Sequence, residues 1–172
     1  MLEKHETTLS VAALFAERAA RLSHEKEAEA KLKQQENERE KEYKQKLDTF
    51  EMTDAVRQSF SDKIKRAFDR GENEVVLVSF PVSFCTDDGR AVANIDVPPI
   101  NKPTGDKAKN DAEPAWLATL PRGAHAVYEF WKMDLKPGGF GFGARVTDFP
   151  GGKPGHIALF FSWPKDPLDV PS

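Results

Sequence analysis

The chain has 172 residues, 39% of them hydrophobic, with 28 acidic and 25 basic residues and a single cysteine. One cysteine excludes an internal disulfide and a cysteine-rich zinc site. No apolar run approaches the roughly 20 residues that a membrane-spanning helix needs. A net charge of −3 supplies no basic excess for sequence-independent phosphate binding, so nucleic acid is disfavoured as a partner. The one compact basic cluster is Lys63, Lys65, Arg66 and Arg70, which reads as the wet face of a helix. Glu3, Glu6 and Glu17 around the short apolar patch Val11–Ala16 do not fit a secretory signal. A lone thiol suits a reducing, cytoplasmic setting.

Composition divides the chain. Residues 1–70 contain no proline or glycine, whereas residues 71–172 contain all 12 prolines and all 11 glycines. The first 70 residues balance 15 acidic against 15 basic side chains, so the net negative charge belongs to the remainder. This shift marks a helical N-terminal part followed by a compact α+β part. The expected organisation is an extended charged helix over residues 1–50, an α+β domain over 51–163 and a proline-rich tail over 164–172.

The first helix is expected to start at Ser10, whose hydroxyl can accept from an orphan backbone N–H, with Leu9 and Leu14 at hydrophobic-staple spacing. It continues through Ser23–Lys46, where seven acidic and seven basic residues fall among 24. Glu27–Lys31, Glu29–Lys33, Glu40–Lys44 and Glu42–Lys46 place acid before base at i,i+4, each pair worth roughly 0.2–0.5 kcal/mol. A sparse stripe runs through Val11, Phe15, Leu22, Leu32, Tyr43, Leu47 and Phe50. Its seam positions are interrupted by Arg18, Glu25, Glu29, Glu36 and Arg39, so sustained coiled-coil heptads are absent. The stretch reads either as a solvated helix or as a loose self-association or partner-binding helix.

The apolar face changes direction near Met52–Asp54, where Thr53 can cap a second helix. Val56, Phe60, Ile64, Ala67 and Phe68 form its apolar face, and Gly71 stops it. From Glu74 the period becomes that of a strand. Val75–Phe80 is β-branched and apolar, and Pro81 ends it. Val82–Thr86 and Arg90–Ile95 flank Asp87-Asp88-Gly89, a hairpin signal. Residues 96–115, with four prolines, read as a long loop. A third helix is expected over Pro121–Leu135, stopped by Lys136-Pro137-Gly138-Gly139. Phe140, Phe142, Ala144 and Val146 then alternate with Gly141, Gly143, Arg145 and Thr147. Ile157, Leu159, Phe161 and Trp163 form a second alternating set, expected to pair with the first as an antiparallel hairpin. The fold class is α+β, a small and mostly antiparallel sheet with helices on one face.

No catalytic constellation stands out. Cys85 is the only possible thiolate nucleophile, but Asp87 and Asp88 oppose its ionisation. His125 and His156 are the histidines of the α+β part, and with Asp148 they are the one conceivable metal set. No histidine pair has helical ligand spacing, and neither metal nor cofactor is expected. The Gly138–Ala144 stretch matches G-x-G-x-x-A formally, but it follows a helix and opens a strand, the reverse of a dinucleotide loop. Its glycines instead leave a strand face bare, and Gly141, Gly143, Arg145 and Phe160 could form a shallow aromatic platform with a positive group. The expectation is a non-catalytic interaction protein. It uses the charged helix for self-association, as a dimer, or for binding a protein partner, and the α+β domain as a second contact surface. The alternative is a small ligand-binding domain or enzyme with the 96–115 loop as a lid over the Gly/aromatic hairpin.

Overall fold

The computed structural model describes residues 9–95 and 113–170. Most of the 96–115 loop, and with it any role as a lid, lies outside the described residues. The chain divides into two compact units, Met1–Tyr43 and Lys44–Ser172.

Among its described residues, the first unit is a single helical segment. Helix α1 spans Val11–Asp48 and runs on into the second unit. Its N-terminus is capped as expected: Ser10 Oγ accepts from the Ala13 N–H at 3.0 Å. Leu9 and Leu14 stay largely exposed. Among the described residues, the four i,i+4 acid–base pairs do not close into ion pairs. Such exposed pairs repay little of the entropy lost in holding two long side chains together. Backbone hydrogen bonds and good helix formers hold the segment instead. No helix among the described residues is long and apolar enough to cross a membrane.

The second unit begins with the last turn of α1, where Leu47 is buried. Helix α2, Asp54–Asp69, starts behind Thr53, whose hydroxyl accepts from the Val56 N–H at 3.3 Å. It ends where Gly71 takes φ +79. There the Gly71 and Glu72 amides donate to the carbonyls of Phe68 and Ala67 at 2.9 and 3.0 Å, a Schellman closure that satisfies two of the last carbonyls.

Three strands follow: β1 (Glu74–Pro81), β2 (Gly141–Asp148) and β3 (His156–Ser162), antiparallel in the order β1-β3-β2. The alternating sets pair as their spacing implies. Val75, Phe161 and Phe142 share one row across the sheet, and Val76, Phe160 and Gly143 share the next. A bulge between Val76 and Val78 shifts the register of edge strand β1.

One segment differs from the sequence reading. Val82–Thr86 and Arg90–Ile95 do not form a hairpin; Val82–Phe84 is a 3₁₀ turn and Arg90–Ala93 is a short helix, α3. Asp88 and Gly89 do take the positive φ values, 56° and 78°, that the Asp-Gly signal implies. The Asp87 carboxylate, however, accepts from the Gly89 and Ala91 amides at 3.0 and 2.9 Å. It thereby caps a helix where the residue pattern implies a strand.

Helix α4, Arg122–Phe130, continues as a widened π turn, Trp131–Leu135. The Trp131 indole N–H donates to the Phe140 carbonyl at 2.9 Å, fixing that turn against the start of β2. Helices α2 and α4 meet on one sheet face: Phe60 and Phe130 lie 5.9 Å apart, and each is 6.2 Å from Phe161. Phe142 joins them with Trp116, Tyr128 and Trp131 at 5.8–5.9 Å. Each such edge or offset pair adds about 0.5–1.5 kcal/mol beyond burial. Trp116 and Leu117, which the sequence pattern assigns to no element, are buried in the 3₁₀ turn Ala115–Thr119.

Candidate functional site

The expected platform residues do converge, but on a closed surface. Gly141 and Gly143 on β2 are buried, and Phe160 on β3 is only 3% exposed. Arg145 lies over that ring, its Cζ 4.6 Å from the ring centroid. The same guanidinium forms a bidentate pair with Glu74 on β1, at 2.6 and 3.0 Å. The Arg145 side chain covers the ring face on which a flat ligand would stack. Binding at these four residues therefore requires the Arg145–Glu74 pair to open.

The remaining polar candidates stand in different settings. Cys85 is buried at the end of the 3₁₀ turn after β1. Burial first, then the charges of Asp87 and Asp88, together push its thiol up to about 12. Both effects disfavour the thiolate that a nucleophile needs. His156, exposed at the start of β3, sits with Nδ1 3.1 Å from both Asp148 carboxylate oxygens. His125 lies half-buried on α4. Among the described residues, no three His, Cys, Asp or Glu side chains are placed to hold a metal ion.

A further concavity lies elsewhere. A groove of about 540 Å³ runs between the end of α2, the Gly138–Phe140 bend and the tail after β3. Phe68, Trp163 and Phe140 form its aromatic wall, with ring centroids 6.4 Å apart for Phe68–Trp163 and 6.1 Å for Phe140–Trp163. Pro164, Pro167 and Val170 of the tail also line it. The helical spacing assigns Phe68 to the core face, yet it is 64% exposed at this groove. Its neighbours on the helix, Phe60, Ile64 and Ala67, take the buried positions. The available signal was an apolar stripe one residue wider than α2 could bury, together with Trp163 just after β3.

Comparison with known proteins finds no matching family model, no matching curated protein and no matching solved structure.

Proposed function

We propose that this chain is a non-catalytic interaction protein that self-associates as a dimer through α1 and uses the α+β unit as a second contact surface. One observation carries the reading: Val11, Leu14, Phe15 and Leu22 on α1 are all between 47% and 68% exposed. At 100° per residue, Val11, Phe15 and Leu22 fall within about 40° of one another on the helix, with Ala12 and Ala19 on one side and Arg18 between turns of the stripe. An apolar stripe left in water on one helix is the kind of surface that a partner covers. The stretch 11–48 carries nine acidic and nine basic residues, so two copies face little net repulsion. A second surface lies along edge strand β1, where Val76 is exposed. The buried lone thiol suits a reducing, cytoplasmic setting.

Sedimentation velocity over a concentration series tests this. The wild-type chain is expected to reach a dimer, and the Phe15→Glu/Leu22→Glu chain to remain monomeric with an unchanged thermal transition. A wild-type chain that stays monomeric at the highest concentration reached overturns the self-association.

A second reading, a small ligand-binding domain, is favoured by the aromatic groove. On that reading the ligand sits against Phe68, Phe140 and Trp163, rather than at Gly141, Gly143, Arg145 and Phe160.

A further inference from the structure

The groove has a chemistry that narrows its occupant. Its volume, about 540 Å³, lies within the range of small-molecule sites, which are mostly apolar with few polar groups. Phe68, Phe140 and Trp163 line it together with Pro164 and Pro167, an apolar lining suited to a flat ring or an alkyl chain. Among its described lining residues, the charged ones are Lys65 on α2, Lys165 on the tail and Asp69. Among the described residues neither lysine takes part in an ion pair. The α2 C-terminus also lies here, and its dipole disfavours an anion by roughly half a charge. Two full positive charges outweigh one carboxylate plus that half charge, and the Gly71 and Glu72 amides already satisfy two of the terminal carbonyls.

Resting on the ligand-binding reading, we infer that this groove binds a small amphiphile: an aliphatic or aromatic body carrying one carboxylate, the body between Phe68, Trp163 and the tail prolines, the carboxylate against Lys65 and Lys165. The two lysines set the sign of the headgroup, and the aromatic wall supplies the binding surface that any apolar body shares.

The test uses the full chain and reads Trp163, the half-exposed indole, beside the buried Trp116 and Trp131. The neutral dye N-phenyl-1-naphthylamine reports occupancy. Decanoate, decanol and decyltrimethylammonium, each below its micellar concentration, compete with it. The dye is expected to bind saturably and to perturb Trp163 emission. Decanoate is expected to displace it about tenfold more tightly than decyltrimethylammonium, the size of two exposed ion pairs. Lys65→Gln/Lys165→Gln is expected to erase that preference while decanol binding stays unchanged. Phe68→Ser, at an exposed helix position, is expected to weaken all the ligands without moving the thermal transition. If the dye shows no saturable binding, the ligand-binding reading fails and the inference with it. If the dye binds but decyltrimethylammonium competes as well as decanoate, the groove binds ligands and the carboxylate class is overturned. Dye displacement by rising protein concentration, with no response to decanoate, assigns the groove to a second copy and also overturns the inference.

Discussion

Arg145 on one edge strand reaches across the central strand to Glu74 on the other, stacking on the Phe160 ring between them. Glu74 is level with Ser162, and Arg145 is level with Ala158. The pair therefore crosses the Val76–Phe160–Gly143 row diagonally and ties together strands that share no backbone hydrogen bonds.

Both side chains are about 40% exposed, so the ion pair itself is worth no more than about 1 kcal/mol. Glu74→Gln should lower stability by about that amount in urea unfolding. Arg145→Ala should cost more, about 1–3 kcal/mol, because it also uncovers Phe160 and removes a cation–π contact. Arg145→Lys should recover less than half of that loss, since an ammonium cannot supply the planar two-toothed contact. If Arg145→Lys matches wild type, stacking and forked geometry are irrelevant here.

A second prediction concerns the start of α4. Gly123 is buried, and a Cβ there would run into the backbone carbonyl of Leu47 in the last turn of α1. A backbone atom cannot rotate away as a side chain can. Gly123→Ala should therefore destabilise by about 1–3 kcal/mol, although alanine is the better helix former by roughly 1 kcal/mol. Chemical denaturation gives the sign directly: a stabilised variant would mean that α4 and the α1 turn can move apart freely.

Much of this architecture is legible in the residues because local chemistry decides it. Ser10, Thr53 and Gly71 mark helix ends through bonds to their own neighbours, and the alternation in Gly141–Val146 and Ile157–Phe161 marks two strands that pair, although both faces of each are buried over much of their length. What is not legible depends on partners far along the chain. Gly141, Gly143, Arg145 and Phe160 share one face, as their alternation implies, but the residue that ties Arg145 down lies 71 positions away. The groove is likewise assembled from residues 64–69, 138–140 and 163–170, no one of which looks like a site alone. The turn at Asp87 fails differently. Its positive-φ backbone follows from the Asp-Gly pair, while the outcome depends on which amides a single carboxylate captures.

That capture is testable. Asp87→Ala removes the acceptor for the Gly89 and Ala91 amides and should cost about 1–2 kcal/mol, as lost N-terminal caps do. Asp87→Asn keeps an acceptor oxygen and should cost much less. Equal losses would show that charge, not the hydrogen bonds, is what position 87 contributes. Amide exchange at Gly89 and Ala91 provides the local readout: both should exchange faster in the alanine variant.

Asp87→Asn also separates the two causes acting on Cys85. Burial first, then the charges of Asp87 and Asp88, together raise the thiol to about 12 from an ordinary 9.0. The folded chain thus holds this proton more tightly than the unfolded chain does. The associated stability is fully present below pH 9, declines as pH rises above it and is exhausted once pH passes about 12. Stability measured from pH 8 upward should fall, and Cys85→Ala should flatten part of that slope. Asp87→Asn should leave the burial contribution and narrow the window. At pH 8 the native thiol should react with a disulfide reagent roughly 10³-fold more slowly than in denaturant, since thiolate falls about tenfold each time the pKa rises by one. Rapid labelling of the native chain at pH 8 would show that Cys85 is neither buried nor held as a thiol, and would return it to the candidates for chemistry.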